Sequence, residues 1–266
     1  MPVLGPAVTH TPGATPLDGS TTRFVVWAPE KRLVQLHLLE PDRTLDLEPG
    51  PGGYHTTTTS CAVGTRYRYI LEDGREYADP ASRCQPEGVH GPSQVVDLKA
   101  HVWRGATYRP RPLWDQVFYE LHVGTFSSEG TFDAVAAALD DLCALGVGAI
   151  EIMPVAQFPG RRNWGYDGVF PFAVQESYGG YAGLQRLVDA CHERNLAVAL
   201  DVVYNHLGPE GNVLAEFGPY FTDRYRTPWG AAVNFDGPGS DDVRAYFIQN
   251  AFQWYREFHI DALRLD

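Results

Sequence analysis

Several things are scarce or missing in this 266-residue chain. It has no run of eighteen apolar residues, so no membrane-spanning helix is expected. Residues 1–6 offer neither a basic start nor an apolar stretch, so no signal peptide is expected. The four cysteines, Cys61, Cys84, Cys143 and Cys191, match no zinc-binding spacing. They read as buried free thiols, which suits a reducing, cytoplasmic compartment. The nine histidines form no His-Glu-X-X-His or His-X-His cluster, so no metal is called for. No glycine-rich phosphate loop follows any expected strand, which argues against a nucleotide fold and an organic cofactor. With 33 acidic against 21 basic residues the net charge is −12, so a nucleic-acid partner is not expected.

What is present is 44% hydrophobic and 12% aromatic residues, enough for a sizeable core. Aromatic rings serve equally as core filler and as platforms for the apolar faces of sugars. Composition does not separate the two.

The chain has two rhythms. Through residue 111 it alternates with period two: Val34, Leu36 and Leu38 share one face, and Tyr67, Tyr69 and Leu71 share another. Turn signals at Pro41-Asp42, residues 49–53 and Asp73-Gly74 separate the runs, which predicts an antiparallel β-sandwich over residues 1–111. From residue 112 strands alternate with helices. Strands are expected over residues 117–123, 149–154, 196–203 and 260–265. Between them lie helices capped by Thr131 and by Ser240, one closed by Gly146 and one by Asn195. Phe132, Val135, Leu139 and Leu142 mark the first helix, Leu184, Leu187, Val188 and Cys191 the second, and Val243, Phe247, Ala251 and Trp254 the third. Apolar strands joined by helices predict a parallel sheet. Long loops over residues 155–181 and 204–239 follow strand carboxyl ends, where barrel enzymes keep their chemistry. An open doubly wound sheet is the competing architecture.

The third strand ends in Asp201-Val202-Val203-Tyr204-Asn205-His206, and the fourth in Arg264-Leu265-Asp266. On neighbouring parallel strands Asp201 faces Arg264, and Arg264 faces Asp266. A guanidinium beside Asp266 keeps it ionised, as a nucleophile needs, while Asp201 fixes the guanidinium. His206 is expected at the same mouth. A plain salt bridge between Asp201 and Arg264 is the bland reading of that pair alone. Glu120, His122 and Glu151 read as hydrogen-bonded interior groups, and the segment from Asp79 to Ser93 as packing between the two halves.

Those two strand ends, in that order, resemble the first two motifs of the α-amylase family of glycoside hydrolases. Phe24-Val25-Val26-Trp27-Ala28-Pro29 is similar to the immunoglobulin-like sandwich that precedes the barrel in the family's branching and debranching members. Residues 119–126 resemble their first barrel strand. The resemblance implies a sandwich (residues 1–111) followed by the first half, strands one to four, of a (β/α)₈ barrel (residues 112–266). It implies Asp266 as nucleophile, Arg264 as the group that orients it, and Asp201 as the partner of that arginine. It further implies His206 as a donor to the sugar, Tyr166 as the platform beneath it, and Trp164, Asp167 and Asn205 as lesser contacts. Tyr220, Phe221, Tyr225 and Trp229 are candidates for outer subsites or for loop packing.

Residues 79–83, 85–93, 162–169, 206–212 and 217–222 resemble members that act on a maltooligosaccharide ending in trehalose. The implied reaction is hydrolysis of the adjacent α-1,4 bond with retention. Debranching of α-1,6 bonds is the alternative, and a non-catalytic glucan-binding protein is a third reading. Retaining glycosidases use two carboxylates about 5–5.5 Å apart. In the family the acid/base glutamate follows the fourth strand, so the remainder of the same enzyme, strands five to eight, is expected as a partner.

Overall fold

The computed structural model describes residues 11–105 and 107–266; the opening residues 1–6, read above as lacking a signal peptide, lie outside them. The first part consists of short strands: β1 (Gly13–Pro16), β2 (Thr21–Trp27), β3 (Gln35–Leu39), β4 (Asp42–Asp46), β5 (Glu48–Pro49), β6 (Tyr54–Ser60), β7 (Arg66–Ile70), β8 (Glu76–Tyr77) and β9 (Ser93–Gln94). They form two antiparallel sheets, ordered β1-β2-β6-β5 and β4-β3-β7-β8, with β9 also paired to β7. Period-two alternation puts Phe24 and Val26 of one sheet against Leu36, Leu38, Tyr67 and Tyr69 of the other, in one core. The register Leu38↔Tyr67 and Leu36↔Tyr69 keeps these side chains on a common face.

The second part adds β10 (Phe118–Leu121), α1 (Val123–Phe126), α2 (Phe132–Ala137), α3 (Leu139–Leu145), β11 (Ala149–Ile152), β12 (Ala156–Gln157), β13 (Phe170–Val174), α4 (Gly180–Glu193), β14 (Ala197–Val202), α5 (Leu214–Phe217), β15 (Phe221–Thr227), β16 (Gly230–Val233), α6 (Ser240–Glu257) and β17 (Ala262–Leu265). β10, β11, β14 and β17 form one parallel sheet in sequence order. Ile150, Ile152, Val198 and Leu200 face the helices and are fully buried there with Phe132, Leu184 and Leu187. No helix among the described residues is long and apolar enough to cross a membrane.

Several local expectations change. The first helix is broken at Ala138, whose φ and ψ of −99° and 3° separate α2 from α3. Thr131 caps α2 as expected, its side chain accepting from the Ala134 N–H. Ser240 does not cap α6: Gly239, in the left-handed region at φ 77°, precedes the helix, and Ser240 is its first residue. The Ser240 hydroxyl instead accepts from Arg244 (3.0 Å). Neither long loop is irregular throughout. The first holds the β12–β13 hairpin, with β13 wholly buried, and the second holds α5 and the β15–β16 hairpin. Of the four free cysteines, Cys143 is only half-buried.

The core of the antiparallel sheets continues into the second part. Phe217 packs edge-on against Tyr69 and Tyr77, and Tyr220 against Trp27 and Tyr246, with centroids 5.1–6.1 Å apart. Tyr220 is therefore buried at the junction and is no sugar platform. The stretch from Asp79 to Ser93 joins the two parts as expected. Tyr246 Oη donates to the Pro80 carbonyl (2.6 Å), and buried Asp79 accepts from Tyr67 Oη (2.7 Å) and the Ala81 N–H (2.8 Å).

Candidate active site

β14 is apolar except for Asp201. Val198, Leu200 and Val202 are buried; Val198 and Leu200 pack in the core beneath the helices, so alternation turns Ala197, Ala199 and Asp201 to the opposite face. The pairing Asp201↔Arg264 brings the two side chains together on that face. The ladder runs one residue past β17, where the Asp266 N–H donates to the Val202 carbonyl (3.1 Å). Asp266 thereby joins Arg264 on the same side.

Arg264 Nη1 bridges the two acids. It lies 3.1 and 3.0 Å from Asp201 Oδ1 and Oδ2, and 2.6 Å from Asp266 Oδ1. Asp266 Oδ2 accepts a second bond, from Asn205 Nδ2 (3.1 Å). The acids differ in setting: the Asp201 side chain is 1% exposed, while that of Asp266 is 28% exposed and open to a reactant. Burial pushes the Asp201 carboxyl above the usual range, and hydrogen bonds from Tyr166 and Arg264 push it back. The hydrogen bonds to Asp266 and then Asp201 raise the Arg264 guanidinium further, so its charge is permanent.

Tyr166 reaches the cluster from the first loop and donates to Asp201 Oδ2 (2.9 Å). Burial first, then Asp201, pushes its hydroxyl up to about 12, which keeps it a donor. The loop is shaped by Asn163, whose Oδ1 accepts from the Gly165 N–H (2.7 Å) and whose Nδ2 donates to Asp167 (2.8 Å). Gly165 sits at φ 101°, and a Cβ there would lie 2.1 Å from the Pro154 carbonyl oxygen. His122 supports the loop from below, its Nε2 donating to the Asn163 carbonyl (2.8 Å) beside the Tyr178 hydroxyl.

Asp201, Arg264, Asp266, Tyr166 and Asn205 thus come together. His206 is buried, bonded to Asn205 and stacked on Trp229 with centroids 5.3 Å apart, so it reaches the cluster only through Asn205. Trp164 is 74% exposed, and Asp167 is engaged by Asn163; neither bonds to the cluster. Tyr225 and Trp229 stand exposed on the second hairpin, and Phe221 is half-buried. Glu151 is half-buried, its carboxyl raised by burial and then by Glu120 and Asp201. Glu120 departs from expectation: paired with Glu151 on the face that carries Asp201, it is exposed, and neither glutamate makes a hydrogen bond among the described residues. The supports missed by sequence reasoning are Asn163 and Tyr178. The Asn-X-Gly turn with an aspartate four residues on was the available signal for Asn163; Tyr178 reads only as a core ring.

The arrangement offers one oriented, accessible carboxylate beside a second that is sequestered by a guanidinium and a phenol. That suits nucleophilic attack on an electrophilic carbon by Asp266. Asp201 is ill-suited to proton donation, since both its oxygens already accept.

Residues 114–259 match the family model described as the α-amylase catalytic domain. A malto-oligosyltrehalose trehalohydrolase of Saccharolobus solfataricus is 51% identical over 251 residues, covering 94% of this chain and 44% of that protein. A Salmonella typhimurium protein solved at 1.4 Å, provisionally described as an α-amylase, is 41% identical with a TM-score of 0.90, covering 96% of this chain and 43% of the other. A Paenibacillus barengoltzii pullulanase complexed with maltotetraose is 25% identical with a TM-score of 0.81, covering 97% and 48%. The chain spans less than half the length of each.

Proposed function

This chain belongs to the α-amylase family, and from that premise we propose that it contributes the nucleophile half of a retaining glycosidase that releases trehalose from maltooligosyltrehalose. The single observation carrying the proposal is Arg264 Nη1 bridging buried Asp201 and accessible Asp266. In the proposed reaction Asp266 attacks the anomeric carbon of the glucose next to the trehalose unit. Arg264 and Asn205 orient it, Asp201 anchors the guanidinium, and Tyr166 underlies the sugar. His206, Trp164 and Asp167 complete the cleaved subsite. The covalent glycosyl-enzyme is then hydrolysed with retention.

The proton donor has to be a second carboxylate about 5–5.5 Å from the nucleophile. We assign it to strands beyond β17, in the second half of a (β/α)₈ barrel whose first half is residues 112–266, after an immunoglobulin-like sandwich over residues 1–111. Supporting this, among the described residues β17 pairs only with β14, and Leu265 is 69% exposed. A groove of about 520 Å³ beside it is lined by Phe235, Phe247, Ile248, Leu263 and Leu265. An apolar edge of this kind needs a partner strand.

The identity to a trehalohydrolase is twice that to a pullulanase, which favours α-1,4 cleavage beside trehalose over α-1,6 debranching. The test is product analysis on maltooligosyltrehalose and on pullulan, with the polypeptide carrying the whole barrel. Trehalose release that vanishes in Asp266→Ala supports the proposal; activity on pullulan alone overturns it. The 266-residue chain by itself is expected to release no trehalose.

A further inference from the structure

A cavity of about 340 Å³ lies where the antiparallel sheets meet α6. Its wall takes residues from β1, β2, the crossing segment 96–99 and the last turns of α6, and none from the Asp201–Arg264–Asp266 cluster. The volume falls in the range of small-molecule sites, roughly 300–1,000 Å³.

The wall reverses the sign of the molecule. The chain's net charge is −12, yet four cations, Arg23, Arg83, Lys99 and Arg256, line the cavity against two carboxylates, Asp97 and Glu257. Arg83 is committed to structure, donating to the Ala14 and Pro12 carbonyls (2.8 and 2.9 Å). Arg23, Lys99 and Arg256 make no ion pair among the described residues. The Arg256 guanidinium carbon lies 4.4 Å from the centroid of the Phe252 ring, which holds that charge against the wall.

Three polar atoms of lining residues find no partner: Arg23 Nε, Thr15 Oγ1 and Gln253 Oε1. Gln253 is 6% exposed, and its Nε2 donates to the Phe172 carbonyl (2.9 Å), which leaves Oε1 as an acceptor in want of a donor. Shielded polar atoms without partners are costly, so small side-chain rotations toward a ligand are favoured. Turned toward the cavity, the three atoms select among ligands. A bare anion satisfies Arg23 but repels Gln253 Oε1. A neutral sugar satisfies both but leaves the wall's positive excess, four cations against two carboxylates, uncompensated.

We propose that this cavity is a second binding site, for a small anion that also carries hydroxyl groups, the class of a phosphorylated monosaccharide. The phosphate meets Arg23, Lys99 and Arg256, and the sugar hydroxyls meet Thr15 and Gln253. The site bridges both parts of the molecule, so occupancy ties the antiparallel sheets to α6.

The test is isothermal titration of the protein with glucose 6-phosphate, inorganic phosphate and glucose. Glucose 6-phosphate is expected to bind one site at least about tenfold more tightly than either fragment, and more weakly as salt rises. Thr15→Val, which keeps the side-chain volume, and Lys99→Gln, at an exposed position, should each weaken it about tenfold. Asp266→Asn should leave it unchanged. The proposal is overturned if glucose 6-phosphate does not bind, if phosphate alone binds as tightly, or if Asp266→Asn abolishes binding. It also fails if binding is seen only after removal of residues 1–10, since the chain itself would then be the occupant.

Discussion

Asp201 and Arg264 face each other on adjacent parallel strands, with both oxygens of the buried carboxylate within 3.1 Å of one guanidinium nitrogen. That nitrogen also holds Asp266, so the position of the accessible acid depends on the buried one. Removing the guanidinium strips Asp201 of its counter-charge. In Arg264→Met the Asp201 carboxyl should titrate higher still, since burial and the Asp266 charge are then opposed by the Tyr166 bond alone. Carboxyl-carbon NMR titration reads this directly; a downward shift would contradict the arrangement.

Among the described residues Asp266 makes side-chain bonds only to Arg264 and Asn205. Asp266→Asn should therefore leave the melting temperature within about 2 °C of the parent, since exposed substitutions stay within ~0.5 kcal/mol. In the proposed enzyme kcat should fall by several orders of magnitude, as for other removed nucleophiles. A variant retaining a tenth of its activity would rule out Asp266 as nucleophile.

Gly165→Ala should damage the site without touching it. The new methyl meets the Pro154 carbonyl at 2.1 Å in a left-handed conformation, so the loop must move and take Tyr166 with it. The cost is about 1–3 kcal/mol, seen as a lower melting temperature. A larger proportional loss is expected in kcat/KM, because the Tyr166 bond to Asp201 is lost. Unchanged kinetics would show that Tyr166 does not need this turn.

Asp79 gives a pH signature at the junction. Burial raises its carboxyl to about 6 against hydrogen bonds from Tyr67 and the Ala81 N–H, compared with 3.8 when exposed. Folding thus takes up a proton between these values. The stabilising contribution is present below pH 4 and lost as pH rises through 6, on the order of 2–3 kcal/mol in all. Denaturation of parent and Asp79→Asn at pH 4 and pH 7 checks it: the parent should lose ground relative to the variant on going to pH 7. A flat or opposite trend would refute the assignment.

Much of this was legible in the chain itself. Asp201 stood out as the one polar residue of an otherwise apolar strand, and the succession of parallel strands made Arg264 its partner. Thr131, Gly146 and Asn195 punctuate helices through local hydrogen bonding and backbone preference, which sequence carries directly. Ser240 failed for the same local reason, since a left-handed Gly239 before it took the capping position. Other outcomes depended on residues far apart in the chain. Tyr220 reads as a loop aromatic until Trp27 and Tyr246 close around it. Glu120 reads as an interior group, but what covers its face of the sheet is settled by the packed chain. The Asn163–His122 support and the cationic cavity beside α6 join segments separated by 41 residues and by more than 200. Local pattern thus determined the elements and the acids at their ends. The tertiary structure alone decided which polar groups are sequestered, because burial and partnership belong to the packed chain and not to any window of it.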